Sequence, residues 1–207
     1  MRTRVKICGI TSVADGLAAA RAGADAIGLI FYPPSPRLVT LGRAAEIAAG
    51  LPPFVARVAV FVNASPEHVT AVIAACRPSL LQFHGAETPE FCRGFGVPYL
   101  RAVRVRSGVD LLESLAAYED AAGWLLDAYR DDLYGGTGEA FDWTLIPQRL
   151  ARPVILSGGL DVQNVGEAVR RVRPWAVDVS SGVESAKGVK DERLIAAFMA
   201  GVRNADA

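Results

Sequence analysis

The chain has 207 residues, 51% of them hydrophobic and 21% charged, enough to fill one sizeable core, and a single domain over residues 1–207 is predicted. Twenty-two Lys plus Arg balance 22 Asp plus Glu, so no long-range field favours nucleic acid or an anionic membrane surface, and neither partner is expected. The longest run free of Asp, Glu, Lys and Arg is the 11 residues from Ala26 to Pro36, short of the ~20 apolar residues that a membrane-spanning helix needs.

The amino-terminal segment leads into only a very short apolar run at Val5–Cys8 and carries no signal-peptide core. Val5–Cys8 is instead the first of eight short β-branched or aliphatic runs, each followed by turn residues and a longer amphipathic stretch. Ser12 with Asp15 starts the first helix, and Gly23 stops it. The runs Ala26–Phe31 and Val55–Val62 come next, and Ser65-Pro66-Glu67 opens a helix with a capping hydroxyl, a proline at the first helical position and an acid. Leu80–Phe83 leads to Thr88-Pro89-Glu90, the same signal again. Tyr99–Val103, Trp124–Asp127, Val154–Ser157 and Ala176–Val179 complete the set.

Eight strand–helix units in this length predict an α/β fold, a minimal (β/α)₈ TIM barrel. An open doubly wound sheet shares the local pattern, but Cys8-Gly9-Ile10-Thr11 lacks the GxGxxG spacing of a dinucleotide site and no GxxxxGK[ST] occurs. Cys8, Cys76 and Cys92 are an odd number without disulfide or zinc spacing, which fits the reducing cytoplasm; no metal is expected.

A barrel of this kind works at the carboxyl ends of its strands, where this chain carries Cys8, Arg37, Asn63, Gln82, His84, Arg104, Asp127, Ser157-Gly158-Gly159 and Asp178 through Gly182. The glycine and serine turns after runs seven and eight, Gly158-Gly159 and Ser181-Gly182, suit a phosphate, held by backbone amides beside a short extra helix. Cys8 is either a small buried hydrophobe or, near a helix amino terminus, a thiolate able to take a proton. Asp127 is either a structural cap or a catalytic carboxyl. Arg37, after Pro33, Pro34 and Pro36, either presents a fork to a planar carboxylate or is one more surface arginine among 19. Gly136, Thr137 and Gly138 form either an ordinary flexible loop or a flap over ligand. His84 either donates to a ligand or caps the next helix, His68 reads as helix surface, and Cys76 and Cys92 read as packed.

In their order and spacing, Lys6-Ile7-Cys8-Gly9-Ile10-Thr11, Ser35-Pro36-Arg37, Val60-Phe61-Val62-Asn63, Gln82-Phe83-His84-Gly85, Leu126-Asp127, Gly135-Gly136-Thr137-Gly138, Gly158-Gly159-Leu160 and Asp178-Val179-Ser180-Ser181-Gly182-Val183-Glu184 resemble the phosphoribosylanthranilate isomerase family of tryptophan biosynthesis. The resemblance spans nearly the whole chain. It implies a cofactor-free Amadori rearrangement of a phosphosugar-anthranilate substrate by a monomer or homodimer. Asp127 then matches the general acid and Cys8 the general base. Arg37 matches the carboxylate ligand, Gly158, Gly159, Ser181 and Gly182 the phosphate cradle, and Asp178, Gln82 and His84 further substrate contacts. Departures from the family's usual pattern, Phe83, Ser157 and Lys187, touch neither acid nor base. The competing expectations are a histidine-pathway or two-pathway aminoaldose isomerase, which as families use paired aspartates, and a barrel that binds a phosphorylated ligand without turning it over.

Overall fold

The computed structural model describes residues 2–105, 110–128, 142–147 and 150–207. Strands β1 (Arg4–Cys8), β2 (Ala26–Ile30), β3 (Ala56–Phe61), β4 (Leu80–Phe83), β5 (Tyr99–Val105), β6 (Gly123–Ala128), β7 (Val154–Leu156) and β8 (Ala176–Val179) pair in that order, and β8 returns to β1, closing the barrel. All eight pairings are parallel. The eight runs read from sequence are these eight strands; β4 and β8 coincide with them and the other ends differ by at most two residues.

Helices α1 (Val13–Ala22), α2 (Leu41–Gly50), α3 (Pro66–Cys76), α4 (Pro89–Arg93), α5 (Leu111–Ala116) and α6 (Val165–Val172) lie between successive strands, and α7 (Glu192–Asp206) follows the last of them. The anticipated caps operate: Ser12, Ser65 and Thr88 accept from the backbone N–H of Asp15, His68 and Phe91, and Gly23 ends α1 at φ 93°. Two segments depart from the strand–helix pattern among the described residues. After β6 the described residues contain only a three-residue 3₁₀ turn, Trp143–Leu145, and after β8 the chain forms a hairpin, β9 (Glu184–Ala186) with β10 (Val189–Lys190), instead of a short extra helix. Gly188, at φ 80°, makes the hairpin's reversal possible, and Lys190 Nζ anchors it by donating to the Ser180 carbonyl at 3.0 Å.

Period-two alternation divides the strands between two cores. Val5, Ile7, Ile27, Leu29, Phe61, Leu81, Phe83, Leu126 and Val177 face outward into the layer shared with the helices. Cys8, Val58, Val60, Leu100, Ala102, Leu125, Ile155 and Ala176 face inward and pack the lumen. Gln82, Asp127, Ser157 and Asp178 have the same inward parity, one step nearer the carboxyl ends, so the register that buries the lumen also aims them at its mouth. Among the described residues no helix is long and apolar enough to cross a membrane.

Candidate active site

Cys8, Arg37, Gln82, His84, Asp127 and Asp178 line one cleft at the carboxyl ends of the strands, together with Tyr32, Ser157 and Ser180. Six residues read separately from sequence are thus brought together by β1, β4, β6 and β8 and the loop after β2. Gly158 and Gly159 follow β7, and Ser181 and Gly182 follow β8. A parallel bridge between Asp161 and Gly182 ties these two loops, and Asn164 donates to the Gly159 carbonyl at 2.8 Å. Gly136, Thr137 and Gly138 lie outside the described residues.

Asp127 is buried, and its Oδ1 accepts from the Ala128 N–H at 3.0 Å. Its Oδ2 stands 3.0 Å from His84 Nε2, and His84 Nδ1 is 3.2 Å from Gln82 Nε2. A Gln82 amide donating to Nδ1 leaves the ring hydrogen on Nε2. His84 thus stands beside the candidate acid and does not cap α4, whose cap is Thr88. Gly158 sits against the same carboxyl, with φ 84° and so little space that an added Cβ would meet Asp127 Oδ1 at 2.8 Å as well as the Ala128 backbone nitrogen. No residue but glycine fits there.

The loop that carries His84 rests on a buried carboxylate. Glu87 Oε1 accepts from the Asn63 N–H at 2.7 Å and Oε2 from the Gly85 N–H at 2.8 Å. Arg101 Nη1 reaches Glu87 Oε2 at 3.2 Å, and Nη2 donates to the Gly85 carbonyl at 2.9 Å. Asn63, a candidate by position, is part of this scaffold: at φ 51° its Oδ1 accepts from the Ala86 N–H at 2.7 Å.

The surroundings of Cys8 differ from the expectation of a helix amino terminus. Gly9 and Ile10 donate to the Gly28 carbonyl, at 2.9 and 3.0 Å, and α1 starts only at Val13, so the helix end is spaced away from the thiol. A nearby positive charge is Lys6, two residues back on the same face of β1, whose ammonium bonds Asp178 Oδ1 at 2.8 Å. Burial pushes the thiol up from its ordinary range, with Lys6 opposing it. Burial also works against the Lys6 ammonium, but Asp178 and Cys8 more than offset that and raise its pKa. Asp178, anticipated as a substrate contact, has Lys6 as its partner in this structure.

Arg37 is buried, not solvated. Its guanidinium grips Glu184 through Nε–Oε1 at 2.7 Å and Nη2–Oε2 at 2.8 Å, and Lys190 Nζ shares Oε1 at 2.7 Å. Burial would raise the Glu184 carboxyl, yet Arg37 and Lys190 hold it below the usual carboxylate range. Glu184 thus occupies the Nε–Nη2 edge of the guanidinium in this structure. His68 is exposed, and Cys76 and Cys92 are buried in helices, as read from sequence. Sequence reasoning missed Lys6, Glu184 and Lys190 as parts of the site. For Lys6 the signal was available: a lysine inside an apolar strand two residues before a candidate cysteine must share its face.

Residues 5–200 match the family model described as N-(5'phosphoribosyl)anthranilate (PRA) isomerase. The N-(5'-phosphoribosyl)anthranilate isomerase of Dechloromonas aromatica is 57% identical, over 100% of this chain and 99% of that protein. The enzyme of the same name from Azotobacter vinelandii is 56% identical over 98% of each chain. The solved phosphoribosyl anthranilate isomerase of Thermotoga maritima superposes with a TM-score of 0.90 at 42% identity, over 98% of this chain and 99% of that one. A structure of such an isomerase in complex with reduced 1-(o-carboxyphenylamino)-1-deoxyribulose 5-phosphate superposes with a TM-score of 0.87 at 40% identity, with the same coverage. With a closed parallel barrel, a polar cleft at its carboxyl end and these relatives along its whole length, the chain belongs to the N-(5'-phosphoribosyl)anthranilate isomerase family.

Proposed function

We propose that the protein converts N-(5'-phosphoribosyl)anthranilate to 1-(2-carboxyphenylamino)-1-deoxyribulose 5-phosphate, an Amadori rearrangement in tryptophan biosynthesis, with Asp127 as general acid and Cys8 as general base. One observation carries this reading: Cys8 and Asp127, from strands one and six, line the same cleft. Asp127 gives its proton to the furanose ring oxygen as the anilino nitrogen pushes its lone pair toward C1′, so the C1′–O bond breaks and an iminium forms. The Cys8 thiolate then removes the C2′ proton. The electron pair of that C–H bond flows into the iminium to give an enolamine, which tautomerises to the aminoketose. No electrons leave the substrate, so no redox cofactor is required.

The phosphate is assigned to Gly158, Gly159, Ser181 and Gly182, where backbone amides approach an anion closely. The anthranilate carboxylate is assigned to Arg37, which lines the cleft while Glu184 fixes its guanidinium plane. Gln82 and His84 orient Asp127, and Asp178 acts at the floor of the cleft. Gly136, Thr137 and Gly138 complete the substrate contacts by family resemblance.

The test is direct conversion of freshly prepared phosphoribosylanthranilate by purified protein without metal or nucleotide, beside the histidine-pathway aminoaldose. Turnover of the first alone is expected. Turnover of both makes it a two-pathway enzyme, and saturable binding without product leaves a non-catalytic barrel.

A homodimer is the assembly we favour. Phe54 stands fully in water at 101% relative exposure, on a backbone of φ 71°, beside Pro52 and Pro53. The support for a second copy covering this ring is that a Thermotoga maritima relative is described as dimeric. Sedimentation should give a dimer that Phe54→Ser converts to a monomer with turnover intact; a wild-type monomer refutes the assignment.

A further inference from the structure

We infer that Lys6 is a positioning residue of the reaction: its ammonium, held at the floor of the cleft by Asp178, stabilises the Cys8 thiolate that takes the substrate proton. The role in turnover rests on Cys8 as the base, whereas the placement of Lys6 beside Cys8 on the inner face of β1 does not.

Lys6 and Cys8 alternate onto the inner face of β1, and Asp178 is the register partner of Lys6 on β8. The Lys6 side chain is only 5% exposed and that of Asp178 6%. Replacing such a pair by packed apolar residues is generally neutral or stabilising, so fold stability gives little reason for a lysine in an otherwise apolar lumen. The opposite strand has made room for it. Gly28, the register partner of Cys8 on β2, leaves a gap whose Cβ position lies 2.6 Å from Cys8 Sγ and 3.2 Å from Lys6 Cε. Thiol and lysine stem lean into the same space, which any larger residue would take from both.

The remaining charges around the thiol are assembled from other elements. Arg37 comes from the loop after β2, Glu184 from β9 and Lys190 from β10, while His84 and Asp127 line the same cleft from β4 and β6. Arg37 and Lys190 are both bound to Glu184. Lys6 shares the inner face of β1 with the sulfur, and its ammonium is bound to Asp178 on the neighbouring strand. The two residues therefore act on Cys8 with opposite sign. Lys6 favours the thiolate, and Asp178 tempers it while keeping the ammonium in place.

The experiment reads the thiolate itself, without substrate. Iodoacetamide alkylation of Cys8 is followed by peptide mass spectrometry on the native full-length chain from about pH 6 to about pH 10, a range that brackets the ordinary thiol value. Burial pushes the Cys92 thiol up to about 12 and also raises that of Cys76, and their peptides are resolved separately. Lys6→Met should move the Cys8 profile to higher pH and slow alkylation near neutrality by about tenfold or more, the effect of losing one close cation. Asp178→Asn should move it to lower pH and speed alkylation several-fold. A role confined to structure predicts no such opposition, so an unmoved profile in Lys6→Met, or displacement of both variants in the same direction, overturns the inference. If Lys6→Met does not fold, Asp178→Asn decides: acceleration supports the inference and slowing or no change refutes it. A displaced profile in Lys6→Met together with normal turnover in Cys8→Ala would remove Cys8 as the base while leaving the charge relation intact. An unmoved profile with an inactive Cys8→Ala would refute Lys6 alone.

Discussion

Cys8→Ala and Asp127→Asn are each expected to lower kcat by roughly 10²–10⁴-fold with KM nearly unchanged, read by the rate of aminoketose formation from phosphoribosylanthranilate. Each substitution removes one proton-transfer group and little else. Asn at position 127 keeps the side-chain volume and an oxygen toward His84 Nε2, which contacts Asp127 Oδ2 at 3.0 Å, so binding should survive while the proton is lost. Ala at position 8 removes only the sulfur, which leaves a small gap beside Gly28. Cys8→Ser should not restore turnover, because an alcohol is a far poorer source of an anion near neutral pH than a thiol. The pH dependence has a definite sign: a thiolate base makes kcat/KM rise with pH until the thiol is fully ionised, and burial moves that limb upward. Near-normal turnover in Cys8→Ala would exclude the thiol from the mechanism.

Arg101→Met is expected to cost about 3 kcal/mol of stability, measured as a lower urea midpoint at unchanged slope. It leaves the Glu87 carboxylate, 2% exposed, without its cation. The backbone donors of Asn63 and Gly85 remain, which places the loss at the lower end of what breaking a buried pair costs. Folded domains are stable by only ~5–15 kcal/mol, so this is a large fraction of the total. The guanidinium also packs over the Tyr118 ring at 4.6 Å, and a methionine recovers part of that contact. Glu87→Gln in the Arg101→Met background should return part of the loss, because the orphaned charge goes with it. A single variant as stable as the wild type would show that the pair is not coupled to folding.

The barrel was legible because its signals are local. Ser12, Ser65 and Thr88 announce helix starts through hydroxyls that cap the next turn, and each apolar run is bounded by turn residues. Cys8, Gln82, His84, Asp127 and Asp178 were found by position alone, since a strand's last inward residue in a barrel faces the mouth. What stayed hidden was partnership. That Arg37 would close on Glu184, 147 positions away, depends on the hairpin after β8, and no spacing in the sequence encodes that contact. The charge next to Cys8 was misassigned for a related reason. A helix amino terminus is a sequence-local source of positive potential, whereas the actual one, Lys6, becomes visible only when the parity of β1 is read together with Asp178 on β8.

The shared inward parity of lumen and site sets where this chain tolerates a change of length. A single inserted residue within β1 would exchange the faces of everything beyond it, sending Ile7 into the lumen and the Lys6 ammonium into the apolar layer beneath α1 and α7. Drift in length is therefore confined to the loops. Those at the amino-terminal end of the barrel, such as residues 94–98 between α4 and β5, can lengthen or shorten without disturbing the order in which catalytic side chains arrive at the opposite rim. An engineer who wished to append a new module would graft it there, at the end of the barrel that carries no chemistry.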